Sequence, residues 1–299
     1  MPHPQFIVIG AQKSASSFLQ ACLTEHPDIW MPDGETPYFE SPDYEQQTPN
    51  DFAAIFTGRT EPMLGIKRPN YIGKPEVPAR IASDCPDAHL IAVLRNPVDR
   101  AVSAYFHQIK SGFLPPIPWE KGLEAIIKDP EFVERHPRSR EILEFGLYYK
   151  YLAQYQPFFD RGKLLVMLHE DILADPHQCV AEAYRFLGVP DEFVPERAIG
   201  SRPQAVVYQP TRVRLHSYRP RLLYHFDQNR TRMTGRTRNP LRIALASAIV
   251  GIDRVLLAKC LGNVKPTIPP TLRKQISAYY DQDREQLQNM LQRDLSAWK

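Results

Sequence analysis

Four short stretches of this chain carry side chains that could handle an anion. In GAQKSASSFL, which begins at Gly10, Lys13 and the hydroxyls of Ser14, Ser16 and Ser17 follow a short apolar run and precede a helical pattern. Free backbone N–H groups at a helix start, a cation and hydroxyls together make an anion site. The helix dipole alone is worth roughly 0.3–1 kcal/mol, so Lys13 and the donated hydrogen bonds carry most of such binding. An ordinary helix cap by Ser14 or Ser16 is the plainer reading of the same residues. GIKRPNY sets Lys67 just beyond the apolar run Met63–Ile66, and HLIAVLRNPVDRAVSAY sets Arg95 just beyond Leu90–Leu94. After Asn96-Pro97, Arg100, Ser103 and His107 recur on one face of a helix, and guanidinium with hydroxyl suits a second phosphate. A structural salt bridge for Arg95 and a solvated Ser103 are the plainer alternatives. Two separated phosphate sites imply a ligand phosphorylated at both ends. Glu35 precedes Thr36-Pro37-Tyr38-Phe39, whose aromatics would pin it towards the core. A carboxylate held there could act as a general base, although a surface acid is the default for any single Glu.

The elements that must position these residues are legible as short apolar runs alternating with helix-length segments. Strands are predicted at Phe6–Ile9, Met63–Ile66, Leu90–Leu94 and Leu164–Leu168. Helices are predicted at Ser14–Glu25, Pro75–Ser83, Val98–Lys110, Arg138–Gln156 and His177–Leu187, the last closed by Gly188 as a C-terminal cap. An apolar helix is predicted over Leu241–Leu261 and an amphipathic one from about Pro270 to Trp298. Between Pro27 and Pro49 five prolines and Gly34 mark a long loop on one rim of the sheet, and long ordered loops are usually functional. The pattern implies one α/β domain with a mostly parallel sheet flanked by helices, in which ligands bind at the C-terminal ends of the strands. The domain is expected to span 1–299, with an Arg-rich, partly helical insertion at about 208–266.

Composition agrees with a globular chain and excludes other classes. Of 299 residues 43% are hydrophobic and 24% charged, which rules out disordered, collagen-like and coiled-coil chains. Proline is abundant at 29 and glycine sparse at 14, which implies stiff loops. Cys22, Cys85, Cys179 and Cys260 stand far apart, so neither a zinc site nor a disulfide framework is expected, and reduced thiols in the cytoplasm are. No secretory signal and no membrane-spanning apolar run is visible. The Walker A spacing is absent, because its lysine would fall at position 16, which is Ser16. A nucleotide-dependent phosphotransferase is therefore the second choice among enzymes. No acid cluster suggests a metal.

Taken together, these motifs resemble the sulfotransferases that use 3'-phosphoadenosine 5'-phosphosulfate, especially the bacterial and heparan-type branch. GAQKSASSFL is similar to that family's 5'-phosphosulfate loop, GETPYFESPDY to its glutamate-aromatic loop and IKRPNYI to its lysine-x-Pro-x-Tyr element. LRNPVDRAVSAYFH resembles its 3'-phosphate motif and is the most specific piece. Phe145-Gly146-Leu147-Tyr148, LLVMLHEDILADP before FLGV, and the ending RDLSAW extend the likeness over most of the chain. The resemblance implies a sulfotransferase fold of the P-loop NTPase-like kind, with Lys13, Ser14, Ala15, Ser16 and Ser17 on the 5'-phosphosulfate and Arg95 and Ser103 on the 3'-phosphate. It implies Glu35 as the base, with His107 as the second candidate, and Lys13 and Lys67 as the cations that neutralise the departing phosphate. Adenosine 3',5'-bisphosphate is the implied product, and no metal is needed. Ala15 stands where glycine is common in the family, and alanine tolerates positive φ poorly.

The C-terminal third is the acid-poor part. Residues 1–200 carry 19 Lys/Arg against 28 Asp/Glu, and residues 201–299 carry 18 against 6. Arg212–Arg242 contains nine arginines with Asp227 as the only acid. Such a stretch attracts an anionic partner, unless it is a solvated face or contacts the acidic remainder. Gly235-Arg236 is the nearest match to a basic loop that closes over the cofactor in the family, so Arg236 joins the implied binding residues. The remainder suits an anionic acceptor or peripheral contact with a membrane beside the helix Leu241–Leu261. That helix would otherwise be core, or a lid over an apolar acceptor. The expected partner is a carbohydrate or small-molecule acceptor and not a nucleic acid, a non-catalytic polyanion binder being the rival from another class.

Overall fold

The structure, a computed structural model, describes residues 3–200 and 206–298. The chain divides into two compact units, one formed by residues 3–96, 147–200 and 282–297, the other by 97–146, 206–281 and 298.

The first unit is built on a five-stranded sheet. Its strands are β1 (Phe6–Gly10), β2 (Ile29–Trp30), β3 (Met63–Lys67), β4 (His89–Leu94) and β5 (Leu164–Leu168), in the order β2-β3-β1-β4-β5. All four pairings are parallel. The α/β class follows as expected, because these strands are continuous apolar runs buried on both faces. Phe6, Ile7, Val8, Leu90, Ile91, Ala92 and Val93 are fully buried. On one side Phe18, Leu19, Cys22 and Leu23 of helix α1 (Ser16–Leu23) pack with Val180, Ala183, Tyr184 and Leu187 of helix Pro176–Leu187. That second helix ends at Gly188, whose φ of 74° is the left-handed cap the sequence called for. Strand β2, only two residues long, was hidden in the proline-rich stretch, where it pairs with Met63 and Leu64.

One expected helix is broken. In place of a continuous helix over Arg138–Gln156 the chain makes short turns, with α-helical pieces at Glu141–Glu144, Tyr148–Leu152 and Gln156–Asp160. Gly146 interrupts the ladder, being a poor helix former. The buried Asp283 carboxylate then accepts the N–H groups of Tyr149 at 3.0 Å and Lys150 at 2.9 Å, capping a new helix start from elsewhere in the chain.

The second unit contains the helix Pro97–Lys110, buried along most of its length, and the helix Trp119–Lys128. The Arg-rich stretch, without clear period in sequence, folds into helices Pro210–His216 and Arg219–Leu223 and an antiparallel hairpin of β6 (Tyr224–Phe226) and β7 (Met233–Gly235). The apolar helix appears as Pro240–Ile252 and continues through a π-helical turn, Asp253–Leu257, into Ala258–Leu261. Further along the chain, the closing helix is observed at Pro270–Leu291, with a 3-10 turn at Ser296–Trp298.

Candidate active site

Strand β1 lies between β3 and β4, so the chain leaves it towards β3 on one side and later enters β4 on the other. Such a reversal opens a crevice at the strand C-termini. Gly10 is required at the departure point, since a Cβ there would lie 2.6 Å from the Ile72 side chain. The Ala11 N–H then donates to Val93 in β4 at 2.7 Å. Lys13 and Ala15 both take positive φ, 69° and 73°, so the loop adopts the conformation glycine would favour despite having alanine. A left-handed alanine costs roughly 1–2 kcal/mol, and such strain gathers at ligand sites. The plain cap is not what forms: Ala15 is the N-cap of α1 and no side chain caps it. Ser14 is fully buried and its hydroxyl has no hydrogen-bond partner among the described residues, while Ser16 is buried at the first turn of α1.

Strand β3 ends on Lys67, which is 3% exposed, and its ammonium donates to Ser17 Oγ at 3.0 Å. Burial pushes the Lys67 pKa down, a shift opposed by the charge of Glu35 and reinforced by Arg68. The glutamate loop is tied to the same strand end, because the Thr36 N–H donates to the Lys67 carbonyl at 3.0 Å. The aromatics anchor the loop but do not draw Glu35 inwards as expected: Tyr38 and Phe39 are buried, and Tyr38 stacks on Phe52 with ring centres 4.0 Å apart, while the Glu35 side chain stays 39% exposed because it pairs with Arg68 at the surface. The Tyr71 hydroxyl accepts from the Phe39 N–H at 3.1 Å and donates to the Thr36 carbonyl. Glu35 itself accepts from Arg68 Nη1 at 2.6 Å through one carboxylate oxygen, and Arg68 also binds Glu40. Arg68 and Glu40 escaped the sequence reading. The Lys-Arg pair after β3 and the second acid of the loop were the available signals.

Strand β4 hands over to Arg95, whose Nη1 donates to the Lys13 carbonyl at 3.1 Å. This contact joins the loops after β1 and β4. The Arg95 carbonyl accepts from the Tyr148 hydroxyl at 2.9 Å, and the Asn96 N–H donates to Glu170 at 3.0 Å, which fixes the turn. Lys13, Ser17, Lys67, Glu35 and Arg95 are thus linked through neighbouring strand ends in the first unit.

Ser103, His107 and Arg236 belong to the second unit. Ser103 is fully buried on helix Pro97–Lys110 and its hydroxyl has no partner among the described residues; His107, one turn on, is half-buried. Arg100, read with Ser103 as a phosphate ligand, is fully buried and binds the Glu141 and Ile142 carbonyls through Nη2, leaving Nε and Nη1 without partners. Arg236 is held in the hairpin, where its Nε donates to the Tyr224 carbonyl at 2.8 Å. Among the described residues no group of three or more His, Cys, Asp or Glu is placed to hold a metal.

A parallel sheet with a positive-φ loop after its central strand, and Lys67 and Arg95 at the ends of the two flanking strands, defines an α/β protein with cations gathered at its strand ends. Residues 3–199 match the family model of the sulfotransferase domain, and the chain belongs to that family. It is 28% identical over 211 residues to the mouse (Mus musculus) bifunctional heparan sulfate N-deacetylase/N-sulfotransferase 4, covering 67% of this chain and 24% of that protein. It is 29% identical over 187 residues to the mouse heparan sulfate glucosamine 3-O-sulfotransferase 3A1, covering 62% and 46%. The chain therefore spans less than half the length of these relatives. In fold it is similar to a sulfotransferase from Alicyclobacillus acidocaldarius, with a TM-score of 0.69 at 23% identity over 100% of this chain and 99% of that one.

Proposed function

We propose that this chain transfers the sulfonate group of 3'-phosphoadenosine 5'-phosphosulfate to an acceptor hydroxyl. The observation that carries the reading is the convergence of Lys67, Arg95 and the strained, uncapped loop of Lys13 and Ala15 at three adjacent strand ends. Family membership supports it, and the buried hydroxyls of Ser14 in the first unit and of Ser103 in the second, without partners among the described residues, would each suit a phosphate oxygen.

The donor supplies an activated sulfonate with a phosphate leaving group. Glu35, oriented by Arg68, takes the acceptor proton as the acceptor oxygen bonds to sulfur and the bond from sulfur to the phosphate oxygen breaks. Lys67 and Lys13 neutralise the charge left on that oxygen, and Lys67 does so from a buried position where its charge acts strongly. Ser14, Ala15, Ser16 and Ser17 hold the 5'-phosphosulfate end in this reading, Arg95 and Ser103 the 3'-phosphate. Arg236 closes over the cofactor, and His107 is the alternative base.

A carbohydrate acceptor is supported by the relatives named for heparan sulfate. The proposed domain takes in the whole chain, including the Arg-rich insertion at about 208–266 beyond the family match. Four free cysteines, three of them buried, support a reducing, cytoplasmic setting. The test is calorimetric titration with adenosine 3',5'-bisphosphate beside ADP and AMP. The expected result is a preference of roughly tenfold or more for the 3'-phosphate, the worth of one hydrogen bond to a charged group. Equal affinities would overturn the assignment.

A further inference from the structure

The second unit carries a helix whose polarity is turned outside in. Over Pro240–Leu261 the inward positions are Ala246 and Asp253, both buried, with Ile249, Val250 and Leu257 partly so. Asp253 is a charge held at the core side by Arg212, whose Nε and Nη2 reach its two carboxylate oxygens at 2.7 and 3.0 Å. The opposite stripe is apolar and exposed, Leu241 67%, Leu245 49%, Ile252 48% and Val255 70% with Ala248 between them, and Ile243, Leu256 and Leu261 add exposed apolar surface off the stripe. These positions recur every three or four residues and so share one face. A helix that buries a carboxylate and exposes leucines is patterned for an apolar surrounding on its outer side.

Charge says which surrounding. Arg242 and Arg254 flank Leu241 and Val255 in sequence, Lys259 continues the stripe, and all three are exposed. Helices Arg219–Leu223 and Pro210–His216, which pack on this helix, add exposed Arg214, Arg219 and Arg221. Of the nine arginines from Arg212 to Arg242, Arg212, Arg230 and Arg236 donate to groups of their own unit. A second copy of the chain would set this basic surface against itself, and a nucleic acid would leave the apolar stripe in water. No helix among the described residues is long and apolar enough to cross a bilayer. We infer that this face lies on an anionic lipid surface, with the leucine stripe in the headgroup boundary and the arginines on the lipid phosphates.

The experiment is flotation of the full chain with vesicles of phosphatidylcholine alone and of equimolar phosphatidylcholine and phosphatidylserine. The expected result is at least tenfold stronger partition to the phosphatidylserine vesicles, weakened by salt. The double variant Leu241→Glu with Val255→Glu, altered only at exposed positions, should lose at least tenfold while still binding adenosine 3',5'-bisphosphate. Arg242→Glu with Arg254→Glu should lose the preference for phosphatidylserine. Absence of binding to either vesicle, or undiminished binding by the Leu241/Val255 variant, would overturn the inference. So would a dimer in sedimentation that this variant abolishes, since a second copy would then be what covers the stripe. None of these three overturning results depends on the sulfonate-transfer reading.

Discussion

The strand ends of the first unit and the arginine-rich stretch of the second are both basic, yet they use charge in opposite ways. At the strand ends three cations have specific neighbours: Lys67 has Ser17, Arg95 the Lys13 carbonyl, and Arg68 both Glu35 and Glu40. In the 210–261 region one arginine, Arg212, is buried against a carboxylate, while Arg214, Arg219, Arg221, Arg232, Arg238 and Arg242 face solvent. A few cations in fixed geometry can stabilise charge at one developing atom. Many cations without fixed partners suit an extended anionic surface, where geometry is loose and number counts.

The sharpest way to break the contrast is Lys67→Met. Loss of this cation should lower sulfonate transfer by about 1000-fold, as expected for a preorganised group acting in a water-excluded site. The same variant should be more stable at neutral pH by about 1 kcal/mol, because burying an ammonium costs more than burying a thioether of similar length. The sign follows from the lowered pKa of Lys67. Between its folded value and the ordinary 10.5 the folded state binds fewer protons than the unfolded state, so its share of stability rises with pH. Melting curves at neutral and alkaline pH should show that rise in the parent and not in Lys67→Met. A variant with lost stability and unchanged turnover would make Lys67 structural.

In the other region the buried pair should behave the opposite way. Arg212→Met leaves Asp253 buried without its guanidinium and should cost about 3 kcal/mol in thermal unfolding while leaving nucleotide affinity unchanged. The Arg212 hydrogen bonds hold the Asp253 carboxyl down at about 2, against opposing burial, with His216 Nε2 also 3.0 Å away. A depressed carboxylate contributes stability above its unfolded value and loses it as pH falls through the folded one. Acid unfolding of Arg212→Met should therefore begin at higher pH than that of the parent. Next in size is Glu35→Gln, expected to lower turnover by about 100-fold with nucleotide affinity intact, against a loss of under about tenfold for His107→Asn. The reverse order would move the base to His107.

The strands were readable because a parallel sheet covered on both faces needs unbroken apolar runs, and Phe6–Ile9 and Leu90–Leu94 are such runs. The positions of Lys67 and Arg95 were readable because each directly follows an apolar run that forms a strand. Arg68 was not, since its role depends on Glu35 and Glu40 arriving from a loop whose path no period encodes. The break at Gly146 was equally hidden, because the cap of the next helix, Asp283, comes from far along the chain. The inverted helix was legible as apolar but not as exposed. Its orientation is set by Asp253 meeting Arg212, a tertiary fact.

The smallest expected effect tests whether the buried hydroxyls of Ser14 in the first unit and Ser103 in the second are directed at an anion. Ser14 and Ser103 each bury a hydroxyl without a partner, which costs a protein roughly 1–3 kcal/mol unless something binds there. If the partner is a phosphate oxygen, Ser14→Ala should bind adenosine 3',5'-bisphosphate about tenfold more weakly, the lower end of a hydrogen bond to a charged group. The same variant should melt higher than the parent without nucleotide, since it no longer buries an unpaired hydroxyl, and gain less when nucleotide is added. Ser103→Ala should show the same crossing of stability and affinity, and its loss should vanish for AMP, which lacks the 3'-phosphate. A hydroxyl that merely packs would lower the melting temperature with and without nucleotide alike. Only a ligand-directed hydroxyl makes the free protein worse and the complex better.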